Sequence, residues 1–296
     1  MATPAHKLQT ENLPAIAGQA TVPVITSPLP GSEERILPAL SRESLTNVIM
    51  AGFIRDNTFV NPLNRGRFYT CRDETNRVEG VALIGHTILF EVFSDRAIQA
   101  FAALARRESS PHLLMGEHHA VERFWKYYAA HDASPRLVCP ITFVQRREPF
   151  AEQANVEGLR LATGEDLEQV VRAQASMAFE TSGVDPLKKD PVGFRQRYLR
   201  RIDKKRVWVV IQNGRLIFKT DVIADTPQAS YIEGVYVRPE ERGKGVGHRY
   251  VTALGRILLE RTHAIYLFVE SKDTRTKTFY LKLGFSVSGQ YDLLYF

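Results

Sequence analysis

Between residues 238 and 247 the chain reads Arg238-Pro239-Glu240-Glu241-Arg242-Gly243-Lys244-Gly245-Val246-Gly247. Glycines at alternate positions let backbone amides approach an anion that side chains would hold off, and a helix starting there adds the positive end of its dipole. Several N–H groups aimed at one point suit a pyrophosphate, with Arg242 and Lys244 adding charge. A plain tight turn would use the same glycines, so the flanking elements must decide. Other patterns carry less. His118 and Glu122 stand at i, i+4 with His119 beside them, but no third ligand follows at a suitable spacing, so the group reads as solvated helix face and no metal is expected. Arg195, Arg197, Arg200, Arg201, Lys204, Lys205 and Arg206 crowd one helix. The aromatics among them, Phe194 and Tyr198, fall on its apolar stripe, so this reads as exposed charge and not as a stacking surface for nucleic acid. Cys71 and Cys139 are too few and too far apart for a disulfide framework or a CxxC site, and read as buried thiols.

The elements that must hold the glycine-rich segment follow from periodicity. In the second half a short strand, Leu159 to Ala162, precedes a capping-box start at Thr163 and Asp166 and a helix with Leu167, Val170, Val171, Gln174 and Ala178 inward. Asp190-Pro191 starts another helix, with Phe194, Tyr198 and Ile202 as its buried stripe. Strands follow at Val207 to Ile211 and Arg215 to Ile223, joined by the hairpin dipeptide Asn213-Gly214, and then at Ser230 to Val237. Past Gly247, Tyr250, Val251, Leu254 and Leu258 mark a helix. Ile265 to Val269 is a continuous apolar run, a strand buried on both faces that should lie parallel to the Ser230 strand. The glycines therefore sit between a strand and a helix N-terminus.

The first half has a similar order: a helix from Ser44 to Phe53, a strand meander from Phe68 to Phe93, a helix capped by Ser94 with Ala97, Ile98, Phe101, Leu104 and Ala105 inward, and a strand His112 to Met115. A helix carrying Val121, Phe124, Trp125 and Tyr128 and a strand around Leu137 to Val144 complete it. With 296 residues, 44% hydrophobic and 24% charged, the chain suits two globular domains and not a disordered or fibrous one. The polar stretch Arg146 to Gly158 reads as the linker, giving a mobile tail 1–34, a domain 35–148 and a domain 149–296. No apolar run nears the roughly 18 residues of a membrane span, and the start of the chain lacks a secretory pattern, so a cytoplasmic protein is expected. Most of the net charge of +6 falls in residues 151–296, which hold 23 Lys+Arg against 18 Asp+Glu; this suits a phosphorylated cofactor as well as nucleic acid.

The glycine segment in that setting, together with Phe279-Tyr280-Leu281-Lys282-Leu283-Gly284-Phe285 near the C-terminus, resembles the GNAT superfamily of acyl-CoA-dependent N-acetyltransferases, whose signatures are R-x-x-G-x-G/A after a strand and a later F-Y-x-x-x-G-F. The likeness covers about residues 158–296. Asp273 stands where the family often has Asn, and Thr276 where it often has Ala. The whole chain resembles tandem GNAT proteins with a degenerate N-terminal half, implying an α/β fold with a mixed sheet.

The resemblance implies acetyl-CoA as co-substrate, with no metal. Its site would take Val235, Tyr236, Val237, Arg242, Gly243, Lys244, Gly245, Val246, Gly247, His248 and Asp273, entering beside a β-bulge near Glu233 to Val235. A backbone N–H of Val235 to Val237 would hold the oxyanion. Tyr280 would be the general acid. Glu233 would meet the acceptor amine, against the alternative of a strand carboxylate facing solvent or an arginine. Direct transfer in a ternary complex to a small-molecule or peptide amine is implied, with a catalytically silent acyl-CoA-binding module as the rival; acceptor identity and a homodimer stay open. The corresponding junction of the first half, Glu91-Val92-Phe93-Ser94-Asp95, lacks glycine and carries carboxylates, so one acetyl-CoA per chain is expected.

Overall fold

The computed structural model describes residues 24–28, 31–42, 44–129, 134–151 and 156–296. The first half runs β1 (Val24–Thr26), α1 (Glu33–Ile36), α2 (Leu45–Asn57), β2 (Gly66–Arg72), β3 (Val78–Gly85), β4 (Thr87–Val92), α3 (Asp95–Glu108), β5 (Leu113–Glu117), α4 (His118–Tyr128) and β6 (Leu137–Arg146). The second runs β7 (Arg160–Leu161), α5 (Leu167–Ser182), α6 (Pro186–Lys189), α7 (Pro191–Asp203), β8 (Val207–Gln212), β9 (Arg215–Asp225), β10 (Ser230–Val237), α8 (Val246–Leu259), β11 (Ile265–Glu270), α9 (Thr274–Lys282) and β12 (Ser286–Tyr295).

These strands make one mixed sheet in the order β1-β2-β3-β4-β5-β12-β6-β11-β10-β9-β8-β7. The two halves exchange their last strands. β6, from the first half, pairs antiparallel with β11 of the second, and β12, from the second, pairs antiparallel with β5 of the first; β6 and β12 then pair with each other. The 148/149 boundary thus separates the chain but not the sheet. One face is covered by α2, α5 and α7, the other by α3, α4, α8 and α9. In α2, Leu45, Met50 and Ile54 are almost wholly buried, and full burial of such a side chain stabilises by roughly 1.5–3 kcal/mol. The helix lies against the second half, with Gly52 so close to Ala224 that a Cβ would stand 2.6 Å from the alanine's own.

Local signals act as their chemistry requires. Asp166 closes the capping box with Thr163 and is gripped by both Arg160 guanidinium nitrogens, at 2.7 and 2.9 Å. Asp190 accepts from the Gly193 amide at 2.9 Å at the start of α7. Asn213 and Gly214 both take positive φ between β8 and β9. Two expectations need correction. Within the 1–34 tail, Val24–Thr26 pairs with β2 and Glu33 and Glu34 open α1, because an open strand edge offers unpaired backbone groups to any extended neighbour; the rest, apart from residues 27, 28, 31 and 32, lies outside the described residues. The Arg146 to Gly158 linker begins anchored: Arg146 lies over the Phe150 ring at 4.1 Å and donates to Leu283 O at 2.8 Å, while Phe150 is buried against Gly255. Residues 152–155 of that linker lie outside the described residues.

Candidate active site

β10 and β11 run parallel, paired only at Ser230 with Ile265 and Tyr231 with Tyr266, and then separate. The cause lies in β10. Glu233 is opposite Asp221 and the next pair is Tyr236 with Lys219, so three steps along β10 match two along β9. This is the bulge expected near Glu233 to Val235. Gly234 at its centre has φ +62°, and a Cβ there would stand 2.8 Å from Lys219 Nζ and 2.9 Å from the Gln174 amide oxygen, so both conformation and space demand glycine. Past the bulge, Val235, Tyr236 and Val237 have no ladder to β11, and an extended ligand arm can pair with them as an added strand would.

β10 leads into the glycine segment and α8. Gly243 and Gly245 have φ of +80° and +78°, and a Cβ at either would meet nothing within 4 Å, which leaves open room in front of the helix. Arg242 donates to Val237 O at 3.1 Å, clipping the loop to the strand, and Lys244 pairs with Glu241 at 3.2 Å. Val246 is buried and anchors the first turn of α8, where His248 is exposed. At Gly247 a Cβ would meet the Phe279 ring at 3.4 Å and Val237 at 3.5 Å, so strand, loop and α9 converge there. Asp273 caps α9 by accepting from the Thr276 amide at 2.9 Å. Tyr280 packs edge-on against Phe279 and Phe285 and is buried; its hydroxyl has no partner among the described residues, and burial holds its phenol well above the ordinary value.

Glu233 points to the face covered by α2, α5 and α7. Its carboxylate accepts from the Tyr231 hydroxyl at 3.0 Å and lies 3.8 Å from Arg201, with a third of the side chain exposed. The arginine that sequence reasoning kept as an alternative neighbour is there, and so is a network that reasoning missed. Lys219 and Asp221 are fully buried; one Asp221 oxygen accepts from Lys219 at 2.8 Å, Arg201 at 3.0 Å and the Tyr198 hydroxyl at 3.1 Å, while the other has no partner. Burial lowers the Lys219 ammonium's pKa, against the opposing pull of Asp221, and raises the Tyr198 and Tyr231 phenols so that both stay donors. The visible signal was two charged residues, 219 and 221, facing the same way inside an apolar strand.

The basic α7 run also needs correction: Arg195 pairs with Glu168, Arg197 with Asp190, Arg201 with Asp221, and Arg206 with Asp56 of the first half and Asp225. These four are ion-paired, whereas Arg200, Lys204 and Lys205 are exposed as the sequence reading expects. In the first half the junction after β4 uses its side chains locally. Ser94 caps α3 by accepting from Ala97, Asp95 is ion-paired with Arg123, and burial raises the pKa of Glu91, which sits beside Arg42 and Ser44.

Residues 167–285 match the model of the acetyltransferase (GNAT) family. They are a GNAT domain. Among solved structures, a GNAT-family acetyltransferase from Colwellia psychrerythraea shares 12% identity and a TM-score of 0.56, over 92% of this chain and 99% of that one. A Drosophila protein reaches a TM-score of 0.68 at 11% identity over 93% and 99%. A tandem GNAT protein from the clavulanic acid biosynthesis pathway reaches 0.56 at 15% over 92% and 98%, so the likeness in fold extends through the N-terminal half. No curated protein matches the chain. Among the described residues no helix is long and apolar enough to cross a membrane. The family usually binds acetyl-CoA, and residues 235–247 fit it: an open glycine cradle at a helix N-terminus, beside strand residues that have no ladder to β11.

Proposed function

We propose that this protein transfers the acetyl group of acetyl-CoA to the primary amine of a small molecule or peptide, directly and within a ternary complex. The observation that carries this reading is the bulged β10, which parts from β11 directly ahead of an open glycine loop and the start of α8. Gly243, Gly245 and Gly247 bring amides to the pyrophosphate, with Arg242, Lys244 and His248 around it, and Asp273 at the start of α9 borders the same site. Val235 and Val237 pair with the pantetheine arm, and their backbone N–H groups face the thioester oxygen as it gains charge. Glu233 draws in the acceptor ammonium, whose ordinary pKa is about 10.4, and takes its proton directly or through water. Nitrogen forms the new bond to the acetyl carbon and gives up its second proton to solvent, the carbon–sulfur bond breaks, and Tyr280 protonates the departing thiolate before recovering its proton from solvent. The burial that weakens Tyr280 as an acid also makes a thiolate beside it a stronger base, so the transfer stays matched.

Thiol release from acetyl-CoA across a panel of amines tests the reading, run beside calorimetric titration of acetyl-CoA into the full chain. One bound acetyl-CoA per chain and amine-dependent release, lost in Glu233→Gln, are expected. Binding without release for any amine would reassign the domain as a silent acyl-CoA-binding module. Two equivalent sites would show that the N-terminal half binds the cofactor as well.

A further inference from the structure

The first turn of α4 carries His118, His119 and Glu122, far along the sheet from the glycine loop. The Glu122 carboxylate lies 3.7 Å from His118 Nε2 and 3.3 Å from His119 Nδ1, and one ligating atom from each residue falls within 4.8 Å of the other two. Around an ion bound at about 2.0–2.1 Å, tetrahedral donors stand about 3.4 Å apart, and two of the three separations come near this value, each through a different Glu122 oxygen. The third closes by rotation of His119, whose side chain is 78% exposed.

A residue of β12 sets His118 in place. Asp292 of β12 contacts His118 Nδ1 at 2.7 Å from a side chain only 9% exposed, which turns Nε2 outward toward Glu122. A buried carboxylate on the far nitrogen of an imidazole is the arrangement that orients metal-bound histidines and raises their basicity. Sequence reasoning named His118 and Glu122 with His119 beside them, but no third ligand at a suitable spacing and no metal; Asp292 comes from 174 residues away, on the exchanged strand. The positive end of α4 opposes a cation there, but only as about half a charge, against the carboxylates of Glu117, Glu122 and Asp292.

We propose that His118, His119 and Glu122 bind one divalent transition-metal ion of the zinc class, with Asp292 as a positioning residue. Two imidazoles and one carboxylate suit Zn²⁺, Co²⁺, Ni²⁺ or Cu²⁺ and not the hard ions Ca²⁺ or Mg²⁺, and three protein ligands leave a fourth position for water. The proposal is independent of the acetyl-transfer reading.

The test is titration of the full chain with Zn²⁺ by calorimetry and with Co²⁺ by visible absorption. One ion per chain is expected, with a tetrahedral Co²⁺ spectrum and a thermal midpoint that rises with Zn²⁺. His119→Ala and Glu122→Gln should each weaken binding ten-fold or more and abolish that rise. Asp292→Asn, which leaves every ligand in place, should weaken it by roughly ten-fold. Absence of binding below millimolar Zn²⁺ in the wild-type chain overturns the proposal, as does binding that survives His118→Ala and Glu122→Gln unchanged, since the ion would then sit elsewhere.

Discussion

The Tyr280 hydroxyl makes no hydrogen bond within the described protein, so removing it should cost the fold little while removing the proton donor. Tyr280→Phe is expected to lower kcat by roughly ten- to a hundred-fold and leave acetyl-CoA affinity and thermal midpoint nearly unchanged. Lost affinity with normal turnover would make the tyrosine a binding residue. His86 stacks on His112 at 5.1 Å, and its pKa is pushed down to about 4 by burial first and then by the positive charges of Arg65, His112, Arg197 and Lys189. Its folded form therefore prefers the neutral ring. As pH falls below the unfolded value of about 6.5 the unfolded chain takes up a proton before the folded one does, so stability is full above that value and is lost down to about pH 4. Urea midpoints between pH 7 and 4 should trace this fall, and His86→Gln should flatten it; an equal slope in the variant would place the lost protons elsewhere.

At the scale of elements, the glycine loop and β9 lend themselves to opposite tests. Gly245 faces open space, and aspartate is among the residues that tolerate its φ of +78° at some strain, so Gly245→Asp should fold with a lowered thermal midpoint and weaken acetyl-CoA binding by ten-fold or more through its charge at the helix N-terminus; unchanged calorimetric affinity would remove the loop from the site. On β9 the burden is internal. Asp221→Ala leaves Lys219 buried beside Gln174 without its counter-charge, and should cost about 3–5 kcal/mol in denaturant unfolding. Asp221→Leu combined with Lys219→Met should cost less than the single change, because no charge then stays buried. The caps at Ser94, Asp166 and Asp190, the Asn213-Gly214 turn and the glycine loop were legible in the sequence because each depends on residues within a few positions of one another, whereas the bulge, which depends on pairing with β9, followed only from the family resemblance. The Lys219–Asp221–Arg201 network was not, since alternation along β9 gives no hint that α5 and α7 close over its polar residues. Arg201 in particular looked like one more exposed cation on a basic helix.

Across the whole molecule, the exchange of β6 and β12 was the least legible feature. Both are ten-residue strands of similar pattern, and nothing local tells either which half to join. Deleting residues 286–296 would therefore not trim an edge: it would remove a strand from between β5 and β6, and the truncated chain is expected in the insoluble fraction on expression. A soluble, monomeric truncation with native circular dichroism would contradict this. The exchange also sets an order of events during synthesis. Because β12 follows every other strand of this sheet in chain order, the N-terminal half cannot close its sheet when its own residues have emerged, as tandem domains ordinarily can. β5 waits with an unpaired edge through the translation of well over a hundred further residues, and the emergence of β12, more than that of the first half, becomes the moment at which both halves fold.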